Sequence, residues 1–256
     1  MSTHGPHAGC LEDMWQVAIE QAKRCGGDRG SLGLIGPDTL PAAIRPNRLI
    51  VLETEGWPDA DAAAREAFAK LLAQLKAAGV TLIHRQDHPF VETLEKAIAN
   101  GRAVCGGITG WENRWYQRGM LDAAPDGLSA RAKAALLKAE AMTPDDYRTN
   151  LLARQQAQLA HAALAQLADA AITLACPGPA PVWAGDRPGQ PLAPRPTGDF
   201  VFNAPSSMLF APVVTVPLMS VGGMPVGVQL MGQQHEDARV TGLARWFSEN
   251  LKRVTV

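Results

Sequence analysis

Aromatic residues are scarce in this chain, at 5% of 256 residues with only two tyrosines. Charge of one sign is also missing: the formal net charge is −1, which gives no reason to expect a nucleic-acid partner. No apolar run approaches the roughly 20 residues that span a bilayer. The first residues, MSTHGPHAGCLEDMW, show neither a basic nor an apolar leader segment, so a cytoplasmic protein is expected. Four cysteines, Cys10, Cys25, Cys105 and Cys176, lie far apart with no CxxC pair. That spacing excludes a zinc ribbon and argues against a disulfide framework. A phosphate loop is absent too, because GGDRGSLGLIG follows no strand pattern and carries no Lys-Ser/Thr pair.

What remains is a globular composition, 46% apolar, in a length that suits one α/β domain over residues 1–256. The chain enters a helix almost at once, a start that suits the middle of a domain. Helical spacing runs from Leu11 to Cys25 and stops at Gly26-Gly27. After a Pro- and Gly-rich connector, Arg48 to Glu53 reads as a buried strand, Asp59 to Ala78 as an amphipathic helix ended by Gly79, and Val80 to His84 as a second strand. Strand, helix and strand in that order predict a parallel βαβ pairing. Helical patterns then fill Val91 to about Ala168, with breaks expected near Gly106-Gly107, Gly119 and Pro125-Asp126-Gly127. Thr143-Pro144-Asp145-Asp146 has the form of an N-cap with Pro in the first turn, opening a helix toward Leu167. Ala170 to Cys176 reads as a third strand, Pro177 to Thr197 as a long Pro-rich loop, and about Glu236 to Leu251 as a closing helix. The expected fold class is α/β, a mixed, largely parallel sheet flanked by helices.

Between Asp199 and Leu230 the sequence DFVFNAPSSMLFAPVVTVPLMSVGGMPVGVQL holds two apolar strand patterns joined by Gly222-Gly223. Ser206-Ser207 reads as a helix start or turn after Pro205. The histidines, His4, His7, His84, His88, His161 and His235, form no HExxH motif, and no metal or other cofactor is expected. Cys176 ends a strand just before a loop, where a thiol nucleophile could sit, and equally where a buried strand cysteine sits.

Taken in order, these blocks resemble the later half of an amidase-signature hydrolase. The resemblance rests on Gly5-Pro6 and Asp13 in the opening segment, RPNRLIVLETEGW, TPDDYRTNLLAR with Tyr147 and Arg154, ADAAITLACPGPAP, and FNAPSSMLFAPVVTVPL followed by GMPVGVQLMG. It implies carboxamide hydrolysis by a Ser–cis-Ser–Lys triad in which the lysine acts through the bridging serine. The family's Gly-Gly-Ser-Ser-Gly-Gly-Ser loop has no counterpart here, so the triad maps to no residue of this chain and inactivity of the chain alone is expected. Phe210 stands where the family usually has Gly. The resemblance further implies a substrate-binding role for Arg131 and Asp199, near the positions that hold the charged end in glutamine-using relatives, and places Ser206 and Ser207 in the pocket wall. A small amide would be the ligand, with room for a partner chain or a homo-oligomer. Two alternatives stay open: a non-catalytic binding or interaction remnant of the fold, and an unrelated hydrolase using Cys176.

Overall fold

A computed structural model describes residues 5–26, 33–183, 185 and 199–256. Its six-stranded sheet has the order β2-β1-β3-β5-β4-β6. The strands are β1 (Arg48–Val51), β2 (Thr81–Ile83), β3 (Ala170–Leu174), β4 (Val213–Val221), β5 (Met224–Met231) and β6 (Val254–Thr255). β1 lies parallel to both β2 and β3, as the βαβ reading predicts, and β4 is parallel to β6. β5 is antiparallel to β3 and β4, so the sheet is mixed with parallel pairings in the majority.

Among the described residues eight α-helices cover it: α1 (Leu11–Cys25), α2 (Ala62–Ala77), α3 (Pro89–Ala97), α4 (Gly101–Ala123), α5 (Ala130–Glu140), α6 (Pro144–Ala162), α7 (Ala204–Leu209) and α8 (Asp237–Asn250). Strand alternation sorts the core into two layers. Leu49, Val51, Ile172, Leu174, Val214, Val216, Val228 and Leu230 meet Phe68 and Leu71 of α2 and Phe247 of α8 on one face. On the other, Ile50, Leu52, Ala171 and Met231 meet Leu94 of α3, Ile108 of α4, Ala157 of α6 and Met208 of α7. β1 and β3 are therefore buried on both sides, as their unbroken apolar sequences require.

Local chemistry sets the helix ends. Gly79, at φ 82°, adopts the left-handed conformation expected of a C′ glycine and turns the chain from α2 into β2. At α6 the hydroxyl of Thr143 accepts from Asp146 N at 3.2 Å while the Asp146 carboxylate accepts from Thr143 N at 2.8 Å, a reciprocal capping box. Two sequence expectations are corrected. The helical stretch is not broken at Gly106-Gly107 or Gly119, because α4 runs straight through them. Gly107 and Gly110 serve packing: a Cβ on Gly107 would strike the Asn150 amide of α6, and one on Gly110 would come within 3.3 Å of Ala139 of α5, whereas a Cβ on Gly106 or Gly119 would meet nothing within 4 Å. α6 ends at Ala162, short of Leu167, with Leu164 N and Leu167 N donating to His161 O and Leu164 O in tighter three-residue turns.

Candidate functional site at the strand switch point

From β1 the chain passes outward to β2 and later returns to β3 on the opposite side of β1. Such a reversal opens a crevice beyond the carboxyl ends of the two strands, where open α/β sheets place their ligands. The segments arriving there are residues 52–61 after β1, residues 175–183 after β3, and the turn at 199–203 leading into α7. Pro177 to Thr197, the expected long loop, lies largely outside the described residues.

The crevice floor is tied down from below. The Glu95 carboxylate of α3, buried at 3% exposure, accepts Glu53 N at 2.7 Å and Thr54 N at 3.0 Å. Burial pushes this carboxyl up, while the two N–H donors and Arg85 pull it down. Thr54, held at φ 62°, uses its hydroxyl to accept Gly56 N at 3.2 Å. Gly56 has to be glycine, since a Cβ there would stand 2.8 Å from Val201 and 2.9 Å from the Phe202 ring. On the β3 side Asp61 N donates to Pro177 O at 2.8 Å. Gln229 of β5, fully buried, donates its amide to Leu174 O at 2.9 Å and to Phe202 O at 2.5 Å, fixing the 199–203 turn on the sheet.

One cation organises the rim. Arg102, in the first turn of α4, donates to Asp199 at 2.8 Å and Asp59 at 3.2 Å, and its backbone N donates to Glu55 at 2.6 Å. Asp199 also accepts Val201 N at 2.9 Å. The sequence-predicted Asp199 thus reaches the crevice, and its cation is Arg102, 97 residues away along the chain. Arg131, the other residue expected to hold a charged group, stands at the start of α5, which packs on α4. No spacing signal singles out Arg102, because only folding brings α4 to the 199–203 turn.

Ser206 and Ser207 lie in α7, in agreement with the reading of a helix start after Pro205. The Ser206 hydroxyl donates to Asn203 O at 2.9 Å, a local helical bond, and Ser207 is exposed. α7 is anchored by Cys105, whose Sγ donates to Ala204 O at 3.3 Å, and by Arg154, whose Nε donates to Met208 O at 3.3 Å. It ends at Phe210, a non-glycine residue at φ 56°, with its ring 5.8 Å from the Arg154 guanidinium. A glycine preference at this position has a direct cause, the left-handed turn. Tyr147 stacks on Trp111 at 5.5 Å and donates its hydroxyl to Glu112 at 2.9 Å.

Cys176 does reach the crevice, half-buried. Its thiol is pushed up, chiefly by burial and further by the Asp61 charge, against the pull of N–H groups from Gly227 and Gly178. A nucleophilic cysteine needs the opposite shift. The cavity beside His161 opens at the other end of the strands, next to Asp169 and Gly232, away from this chemistry. No helix among the described residues is long and apolar enough to cross a membrane.

A family model described as Amidase matches residues 1–241. No curated protein matches the chain. Among solved structures, a crystal structure of amidase is 24% identical, with a TM-score of 0.67 over 82% of this chain and 46% of that one. The inhibitor-bound form of a vestigial protein complex, described as revealing the evolutionary origins of an s-triazine catabolic enzyme, is 21% identical, with a TM-score of 0.70 over 94% of this chain and 52% of that one. A bacterial aryl acylamidase belonging to the amidase signature enzymes is 10% identical, with a TM-score of 0.62 over 82% of this chain and 44% of that one. The sheet and its helices are therefore an amidase-signature fold, and the chain spans about half the length of the structures it matches.

Proposed function

This chain belongs to the amidase family, and on that premise we propose that it supplies the substrate-side wall of a carboxamide hydrolase whose nucleophile comes from polypeptide outside these residues. The crevice at the ends of β1 and β3 is the wall, with the Arg102–Asp199 pair at its rim and Ser206 and Ser207 on the flanking α7.

A single observation carries the second half of this reading: no nucleophile–base pair is assembled in the crevice among the described residues. Acyl transfer needs a hydroxyl or thiol within hydrogen-bond reach of a group that takes its proton. The Ser206 hydroxyl is spent on Asn203 O. The Cys176 thiol is pushed up by burial and by the Asp61 charge, the opposite of an activated nucleophile. What the crevice does offer is shape and polarity: a rigid floor at Thr54, a charged rim at Arg102 and Asp199, and a fixed turn at Phe202.

The test is hydrolysis of small aliphatic and aromatic carboxamides by the purified chain, with labelling by a fluorophosphonate probe in parallel. No turnover and no labelling are expected. Steady turnover by the chain alone overturns the proposal, and its disappearance in Cys176→Ala would transfer the chemistry to that thiol.

A further inference from the structure

β4 and β5 are covered unevenly on their two faces. α2 and α8 pack on one face of β4. On the opposite face Thr215, Pro217 and Pro225 are exposed and Gly227 is half-exposed. An antiparallel hairpin with one face in water ordinarily alternates apolar with polar residues. Here the nine residues VVTVPLMSV and the eight residues MPVGVQLM contain no charged side chain at all.

The edge beside that face is open as well. Pro212 O accepts Gly232 N from the β5 side, so the alternation of a strand turns the N–H and C=O of Val213 and Thr215 to the opposite edge. β6 pairs with β4 only at Met219 and Ser220. Among the described residues no strand pairs with residues 213–217 from that side. Proteins usually protect such an edge with lysine, a bulge or proline. This one has a register shift between Val216 and Met219 and has Pro217, both at its far end, and leaves the β-branched run at 213–216 bare.

We infer that the outer edge of β4 at residues 213–217, with the uncovered face over Thr215 and Gly227, is where the polypeptide carrying the rest of the amidase fold adds a strand and a covering layer. The inference rests on the proposed function and names the surface that function requires. The size of the inferred occupant comes from the solved relatives: this chain covers 46% of one amidase and 52% of the vestigial-complex protein, so the remainder of that fold is about as long as this chain. Edge and face are open on the same side, which fits one continuous body. A second copy of this chain fits less well. Antiparallel pairing about Thr215 would set Pro217, which has no N–H, against Val213 and would leave the face bare.

Hydrogen exchange on the chain alone should show the amides of Val213 and Thr215 exchanging roughly 100-fold faster than those of Val214 and Val216. The second arm mixes the chain with a polypeptide comprising the part of the solved amidase that this chain does not cover. Capture is expected, with Val213 and Thr215 becoming protected, and Thr215→Lys should weaken it by about tenfold or more without changing the circular dichroism of the free chain. Equal protection across residues 213–216 in the chain alone overturns the open edge and leaves the functional reading untouched. Capture that protects other segments, or that Thr215→Lys does not weaken, overturns the docking surface while the shared fold stands. No capture at all overturns the docking surface, while the functional reading is decided separately by the turnover assay.

Discussion

The carboxylate of Glu95 accepts the backbone N–H of Thr54 at 3.0 Å and thereby fixes a threonine at φ 62°. A β-branched residue enters the left-handed region only under such constraint. Because the same carboxylate accepts Glu53 N at 2.7 Å, one buried group determines the path of the chain as it leaves β1 for the crevice.

Replacing Glu95 by Ala strands two N–H donors in a buried setting. The expected loss is about 2–5 kcal/mol, and Glu95→Gln, which keeps one acceptor oxygen, should cost about half as much. Urea unfolding of the two variants checks the order. If Glu95→Ala stays within about 0.5 kcal/mol of the parent chain, the clamp is not what holds Thr54.

Phe210 separates a backbone effect from a side-chain effect. It caps α7 at φ 56° while its ring, 38% exposed, leans on Arg154. Both Phe210→Gly and Phe210→Ala discard the ring, so their difference reports the left-handed backbone alone. Phe210→Gly should be the more stable of the two by about 1 kcal/mol, measured by thermal or urea unfolding. Equal stability would mean that this backbone position relaxes once the ring is gone.

Much of this fold is legible in the sequence because its signals are local. The α1 segment shows helical spacing ended by glycine, residues 143–146 form a complete capping box, and Gly222-Gly223 turns β4 into β5 with both glycines at positive φ. The same reasoning misplaces breaks at Gly106-Gly107 and Gly119, since a glycine costs a helix interior only about 1 kcal/mol and does not by itself end it, and at Gly107 its lack of a side chain makes room for Asn150 of α6. Site residues divide the same way. Cys176 is placed by its position at the end of a strand, and Asp199 by the resemblance to the family. Arg102, Glu95 and Gln229 are not, because each acts on backbone or charge far along the chain, at separations of 97, 41 and 27 residues.

Gly242 offers a contest between propensity and packing. Alanine in mid-helix is favoured over glycine by about 1 kcal/mol. In α8, though, a Cβ at 242 would stand 2.6 Å from Ala42 O and 2.9 Å from Ile44, against a segment already held by Ile44 N donating to Gly242 O at 2.9 Å. Backbone cannot swing aside as a side chain can, so Gly242→Ala should destabilise by about 1–3 kcal/mol net. A stabilised variant would show that the 42–44 segment is free to lift from α8.

His161 couples stability to pH. It is 5% exposed, and burial lowers its pKa from 6.5 to about 4. A depressed histidine is neutral in the folded chain and charges first in the unfolded chain, so the unfolded state binds more protons between those values. Stability is therefore complete above pH 6.5 and declines as pH falls toward 4, by up to roughly 3 kcal/mol from this group. Asp169, which lines the same cavity, is paired with Arg239 at 2.7 Å, a contact that the substitution leaves in place. The contact of Gln233 with this residue is to the backbone O, at 2.9 Å, and survives side-chain replacement. The informative quantity is the difference in unfolding free energy between the parent chain and His161→Leu, measured at steps from about pH 7.5 to about 4.5. All other acids and histidines cancel in it. The difference should move in favour of the leucine variant as pH falls, and a difference flat in pH would mean that His161 is not buried neutral in the folded protein.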